Sequence, residues 1–336
     1  MKASFLLVTG ATGHIGNVLV RQLLARGARV RALILPGEDT TPLQGLDVEH
    51  AEGDVLNFAS LQPALQGVES VFHLAGVISI LPGKNPLVRR VNVEGTRNVL
   101  KAALQNNVRR LVYTSSIHAL ARLPHGMVVD ENTPFDPCTP YGVYDQSKAQ
   151  ATLEVQKAAQ AGLDAVIACP TGVIGPFDFR GSLMGSIIRA AAEQKMMPYV
   201  EGAYDFVDVR DVAAGLIAAW QKGRRGETYI LSGEPISVQA LLETVRQITG
   251  KGFLRFRVPL ALARLAARFM PLYYRLTKRP PRFTPYALEV LQSNANISHA
   301  KASRELGYHP RPLYESIRDT VTWFLSKGQA ALPLTR

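Results

Sequence analysis

Tyr144 and Lys148 stand four positions apart in Tyr144-Asp145-Gln146-Ser147-Lys148, where the pattern predicts a helix over 143–161. Four residues make about one turn, so both side chains fall on one helix face. A phenol has an ordinary pKa of about 10 and keeps its proton at neutral pH. An ammonium beside it stabilises the phenolate and pulls that value down, making a tuned acid–base from two common residues. The same pair on an arbitrary helix would be inert, so its weight depends on what the rest of the chain brings to it.

The second motif is Thr9-Gly10-Ala11-Thr12-Gly13-His14-Ile15-Gly16, with glycines three apart. Gly10 permits a tight turn, Gly13 lets backbone approach a pyrophosphate, and Gly16 allows close helix–strand packing. An apolar run over 5–9 predicts a strand before it, and a helix over 15–26 follows, ended by Gly27. Such a helix start offers free N–H groups and a positive dipole end to an anion. Gly10, Thr12, Gly13, His14, Ile15 and Gly16 are therefore the expected cradle of a dinucleotide. An acidic residue about 20 positions further on would hold the ribose 2′-OH of NAD, and an arginine would suit the 2′-phosphate of NADP. The matching place holds Leu35. Nothing there offsets the roughly −1.5 to −2 charges of a phosphate, so NAD is favoured over NADP.

These motifs need a sheet to position them. Strands are expected over 5–9, 29–35, 48–52, 70–74, 110–115 and 165–169, alternating with helices over 15–26, 60–65, 88–105 and 143–161. That alternation predicts an α/β fold: a Rossmann-type doubly wound parallel sheet with its ligand crevice at the carboxyl ends of the strands. Beyond Pro170, Gly172, Gly175, Pro176 and Gly181 mark a loop-rich stretch. Helices are expected again over 211–221, 238–249 and 313–325, with a strand over 228–232. The expected division is a dinucleotide domain over 1–170, with 203–232 returning to it, and a smaller, mostly helical substrate lobe interleaved over 171–336.

Taken together the motifs resemble the extended, or atypical, branch of the short-chain dehydrogenases, an NAD-dependent epimerase/dehydratase-like group. The resemblance implies that Asp54, in Gly53-Asp54-Val55, bonds the adenine amino group. It implies that Leu74, Ala75 and Gly76 lie beside the adenosine ribose, and that Asn92 belongs to the family's Asn-Val-x-Gly-Thr. At the end of the 110–115 strand, Thr114-Ser115-Ser116 resembles the family's Ser-Ser stretch, which makes Ser116 the residue facing the substrate oxygen. Lys148 would also bond the nicotinamide ribose. Pro170, Thr171 and Val173 match the segment over the nicotinamide, and Asp211 the N-cap of the next helix. The family usually carries Tyr-Gly after the serines, whereas this chain has Leu120-Ala121, a departure on the substrate side.

Nucleotide-sugar epimerases and dehydratases share this scaffold but commonly place an arginine where this chain has Tyr204. Ile78, Ile80, Leu81, His118, Phe177, Phe179, Met184 and Tyr204 are the candidate pocket walls around Ser116, although Phe177 and Phe179 could equally be plain core. They suit a hydrophobic carbonyl or alcohol, as in the dihydroflavonol reductase-like and 3β-hydroxysteroid dehydrogenase-like branch. The alternatives are a nucleotide-sugar epimerase or dehydratase, and a cofactor-binding protein without turnover. Family analogy also implies a homodimer through the helices holding Asn92 and Tyr144.

The 336 residues are 47% apolar, ordinary for a globular chain. Cys138 and Cys169 form no metal-ligand spacing and no disulfide framework, which points to a cytoplasmic protein. No stretch approaches the roughly 20 apolar residues of a spanning helix. Residues 1–250 hold equal numbers of acidic and basic side chains, so the whole net charge of +11 sits in 251–336. No nucleic-acid module accompanies it. Over 255–282, arginines alternate with Phe256, Leu260, Leu262, Leu265, Phe269, Met270, Tyr273 and Tyr274, just after Phe253. Two readings follow: a helical lid packed on its own core, or a basic amphipathic segment touching an anionic membrane surface.

Overall fold

The computed structural model describes residues 5–326 apart from 82, 84, 194–195, 251–253 and 278–282. Phe253 and the last five residues of the basic run thus lie outside the described residues.

The opening apolar run forms β1 (Phe5–Thr9), and the glycine loop leads into α1 (His14–Ala25). β2 (Arg29–Ile34), β3 (Glu49–Glu52), α2 (Phe58–Leu65) and β4 (Val68–His73) follow. The single helix expected over 88–105 is three pieces: α3 (Pro86–Arg89), a π-helical turn over Arg90–Gly95, and α4 (Thr96–Gln105). Single π turns recur at functional sites, and this one carries Asn92. Gly95 sits so close to α2's leading loop that an added Cβ would meet Val55 Cγ2 at 2.7 Å.

β5 (Arg110–Thr114), α5 (Val143–Gln160) and β6 (Ala165–Pro170) complete the expected pattern. The region read as loop-rich contains more order than its glycines suggest. β7 (Gly172–Ile174), α6 (Leu183–Glu193), β8 (Met196–Tyr199) and β9 (Ala203–Asp208) come first. α7 (Val209–Lys222), β10 (Thr228–Leu231), β11 (Glu234–Ser237) and α8 (Val238–Thr249) follow. The chain then runs through β12 (Leu254–Arg257), α9 (Leu260–Thr277), α10 (Pro285–Leu291), α11 (Ala300–Leu306) and α12 (Leu313–Leu325).

Seven parallel strands form the main sheet in the order β10-β6-β5-β4-β1-β2-β3. The order reverses between β1 and β4, which pair in parallel from Phe5↔Val68 to Thr9↔His73. At such a switch point the loops leave in opposite directions and open a crevice beyond the carboxyl ends of the strands. One apolar layer, including Val18, Leu19, Val212 and Leu216, seals α1 and α7 against one face. Another, including Leu61, Val99, Leu100 and Val155, seals α2, α4 and α5 against the other. β11-β9-β7 make a separate three-stranded sheet, so β9 does not join the main one.

α7 begins earlier than expected, and this corrects the role of Asp211. The cap is Asp208, whose carboxylate accepts the Arg210 N–H at 2.8 Å, while Asp211 is inside the helix and pairs with Arg311 at 2.8 Å. Arg210 also bridges to Asp319 at 2.7 Å, so buried charges join α7 to α12. Among the described residues no helix is long and apolar enough to cross a membrane.

Candidate active site

The glycine loop is built for close approach. Gly10 has φ +68°, and a Cβ there would lie 2.9 Å from the Ala75 backbone nitrogen; one at Gly16 would lie 2.1 Å from the Gly10 carbonyl. α1 has no side-chain cap and no acidic residue in its first turn, so its leading N–H groups stay available for an anion. The Thr9 hydroxyl accepts from Leu74 N at 3.1 Å and Ala75 N at 3.0 Å, which fixes the two loops of the switch point together. Asn92 accepts from Val77 N at 2.8 Å, donates to Val77 O at 3.0 Å and donates to Ser147 Oγ at 2.9 Å. It thereby ties the chain after Gly76 to the helix of Tyr144 and Lys148. Asp54 accepts from Leu56 N, and Val55 is buried against the π turn. These residues fit a dinucleotide lying across the switch point.

Leu35 is exposed at the end of β2, as a solvent-facing ribose edge would require. Beside it stands Glu38, a residue that inspection of position 35 alone passes over. Its carboxylate accepts from Leu35 N at 3.0 Å and from the Thr12 hydroxyl at 2.6 Å, and pairs with Arg180 at 2.6 Å. The Thr12 and Leu35 hydrogen bonds and the Arg180 charge outweigh burial and hold Glu38 below the usual carboxylate range. The expectation of no acidic group near Leu35 is therefore corrected: the chain reaches the place by a short loop after Pro36-Gly37. Its distance of 22 residues from Gly16 was the available signal.

The acid–base residues meet at the carboxyl end of β5. Lys148 Nζ donates to the Thr114 carbonyl at 2.7 Å and to the Tyr113 hydroxyl at 3.3 Å. Ser116 Oγ accepts from His118 N at 3.2 Å, which leaves its own proton to donate. Burial pushes the Tyr144 phenol up to about 12, and the hydrogen bond with Ser116 only partly opposes this. Burial likewise pulls Lys148 down to about 8. Spacing alone suggested a phenol drawn toward neutral pH. In this structure desolvation dominates, because the ammonium is directed at Thr114 and Tyr113, and Tyr144 stands as a protonated acid. The Thr114 hydroxyl is buried with no protein partner, leaving a polar group free beside the Lys148 contact. Below them Cys169 is fully buried, with its thiol pushed up to about 12 by burial.

On the substrate side the structure brings His118 and Tyr204 to this centre. His118 Nε2 and the Tyr204 hydroxyl share a hydrogen bond of 2.7 Å, and their rings stack at 6.0 Å. The His118 ring meets the Tyr144 ring edge-on at 6.2 Å. Burial lowers the His118 pKa, so the imidazole is neutral at neutral pH. Three partners had no motif to announce them. Tyr286, from α10, donates to Asp145 Oδ1 at 2.5 Å and packs beside His118; Arg122 donates to Asp145 Oδ2 at 3.3 Å. Only tertiary structure joins positions so far apart.

Other expected pocket walls are elsewhere. Phe177 is buried at φ +66°, packs on Trp323 at 5.0 Å and lies under Arg21, so it is core on the α1 side. Phe179 meets the same Trp323 at 5.1 Å. Of the two readings given for Phe177 the structure takes the core one, while Phe179 is 40% exposed: Asn17 and His14 bond the Phe177 and Pro176 carbonyls at 3.2 and 3.0 Å, which turns this loop toward α1. Met184 packs with the cluster of α6, α8 and α12. Ile78 is largely exposed on the loop after Gly76. Pro170 ends β6, the Thr171 hydroxyl donates to Asp205 at 2.6 Å, and Val173 pairs with β9. A cleft of about 420 Å³ bordered by Gly202, Gln239 and Leu291 contains none of the acid–base residues.

Comparison with known proteins agrees with this geometry. The model of the NAD dependent epimerase/dehydratase family matches residues 6–232. Sterol demethylase protein B of Methylococcus capsulatus is 39% identical over 332 residues, covering 96% of this chain and 98% of that protein. A Synechocystis protein named as a candidate dihydroflavonol 4-reductase is 36% identical over 97% of this chain and 96% of its own length. The crystal structure of gox2253 superposes with a TM-score of 0.84 at 35% identity, covering 97% of this chain and 99% of that one. The chain belongs to the NAD-dependent epimerase/dehydratase family, the extended branch of the short-chain dehydrogenases.

Proposed function

We propose that this protein is an NAD-dependent oxidoreductase acting on the carbonyl or alcohol carbon of a hydrophobic, ring-bearing small molecule. The observation that carries the proposal is the convergence of Ser116, Tyr144 and Lys148 beyond β5, across the switch point from the glycine loop. Bound in the cradle, the dinucleotide would supply hydride to the carbonyl carbon or accept it from the alcohol carbon. The chain's own residues do the rest. Ser116 donates to the substrate oxygen and polarises it. Tyr144 gives its phenolic proton to that oxygen as it becomes an alkoxide, and takes it back in the oxidative direction. Lys148 would hold the nicotinamide ribose.

Tyr204 spends its hydroxyl on His118, which supports a neutral organic substrate over a sugar diphosphate needing a cation there. Sterol and flavonol names among the relatives support a ring ketone or alcohol. Glu38 supports NAD as a carboxylate placed to accept from a ribose 2′-OH, with its charge already paired to Arg180.

The test is a panel of ring ketones and secondary alcohols assayed for NADH oxidation or NAD reduction. Turnover of a hydrophobic member that falls at least about 100-fold in Tyr144→Phe supports the proposal. A protein that releases bound NAD on denaturation, inverts a sugar nucleotide and consumes no cofactor would be an epimerase instead.

A further inference from the structure

α9 is apolar on two opposite faces. Its inner face is small: Ala263 and Ala267 are buried against Val200 and Leu288, with Leu260 beside them. Its outer face is large: Leu262, Leu265, Phe269, Leu272 and Leu276 are 55–75% exposed. They recur at intervals of three and four, so they form one stripe along the helix. Phe256 on β12 is exposed as well. Ala263, Ala267 and Leu260 thus pack inward as a lid would, whereas the stripe of large side chains does not.

The charge beside this stripe is of one sign. Between Glu243 and Glu289 the sequence has no acidic residue and ten basic ones. Arg264, Arg268 and Arg275 are exposed, and helical spacing puts all three along one edge of the stripe. Arg255 and Arg257 are engaged with Glu243 and Glu201, so the three helix arginines are the ones facing outward.

We infer that α9 lies flat on an anionic lipid bilayer, with its leucine stripe in the headgroup–acyl boundary and its arginines among lipid phosphates. An interfacial helix has just this division into a large apolar face and a cationic flank. A second copy of the chain fits less well: pairing the stripes of two copies would bring six arginines together with no carboxylate on either helix to offset them. The helix is about 27 Å long at 1.5 Å per residue, enough to set the orientation of the lobe on a surface. The inference stands on α9 and not on the substrate reading, though it would place the crevice where a lipophilic substrate concentrates.

The full-length protein is sedimented with phosphatidylcholine vesicles and with vesicles that also contain phosphatidylglycerol. Binding to the anionic vesicles, weakened by added salt, is expected. Arg264→Gln/Arg268→Gln/Arg275→Gln should weaken it about 100-fold, and Leu265→Gln/Phe269→Gln should abolish it. Both variants should keep wild-type turnover of a water-soluble ketone and the wild-type Tm, because every changed residue is exposed. Failure to bind anionic vesicles would overturn the inference. So would equal binding to neutral vesicles, or a salt-resistant dimer that Leu265→Gln/Phe269→Gln turns into a monomer. Failure of the soluble-ketone assay in the wild-type protein would instead count against the proposed reaction.

Discussion

Two clusters of ionisable groups sit on helices that pack against opposite faces of the main sheet, and they are treated in opposite ways. Around α7, Asp208, Arg210, Asp211, Arg311 and Asp319 pair every charge with another at 2.7 to 2.8 Å. Their partners lower the Asp208 pKa and raise those of Arg210 and Arg311 against burial, so the charged forms are kept. Around β5 and α5, half-buried Tyr144 and buried Lys148 have no counter-charge, and desolvation shifts both pKa values toward the neutral form, the lysine only to about 8. Pairing makes a buried charge part of the scaffold; burial without pairing leaves a group ready to exchange a proton.

Removing a paired charge should have the largest effect. Arg210→Met should cost about 3 kcal/mol in unfolding free energy, since buried Asp208 would lose its two guanidinium contacts and keep only Arg311 at 3.7 Å. Chemical denaturation measures this; a loss below about 1 kcal/mol, the value of an exposed pair, would show the network to be ornamental. Next in size, Tyr144→Phe should leave stability unchanged within about 0.5 kcal/mol and reduce turnover at least about 100-fold.

Glu38→Gln should raise the ratio of NADPH to NADH turnover about tenfold, a change near 1.4 kcal/mol in relative binding. An unchanged ratio would place the ribose away from Glu38. Lys148→Met should stabilise the fold by about 1 kcal/mol while removing activity, because relief of desolvation exceeds the lost Thr114 hydrogen bond. The pH dependence carries the same sign. The folded value of Lys148, about 8, is below the free value, so between the two the unfolded chain binds more protons. Wild-type stability should therefore gain from this residue as pH rises above 8, and Lys148→Met should lose that gain. The smallest effect expected is that of Phe179→Ala, which should change KM by less than about twofold because Phe179 packs on Trp323.

The two regions also differ in how far the sequence reveals them. The glycine loop, Tyr144 and Lys148 act through local spacing: a turn, a helix start, one helical repeat. Such features are readable because neighbours in sequence remain neighbours in space. Asp54, Asn92 and Ser116 became readable through family motifs. The His118–Tyr204 pair and the Tyr286–Asp145 bond join residues 86 and 141 positions apart, and no local pattern encodes them. Phe177 could be read as pocket wall or core for the same reason: an aromatic in a loop announces burial, while the direction of that burial depends on α1 and Trp323. The π turn at Arg90–Gly95 was hidden because it differs from an α turn only in its i→i+5 hydrogen bond, which no residue type announces. In α9 the basic and apolar alternation was plain, yet only the coordinates separate the alanine face from the leucine face.

Half-buried beside Ser116 and with the ammonium of Lys148 turned to Thr114, Tyr144 is a protonated acid and not a phenolate waiting at neutral pH. A pH titration of tyrosinate absorbance, taken as the difference between the wild-type protein and Tyr144→Phe, reads that group alone. No Tyr144 signal is expected up to about pH 10, the ordinary phenol value. A tyrosinate that appears near pH 7 and vanishes in Tyr144→Phe would contradict it.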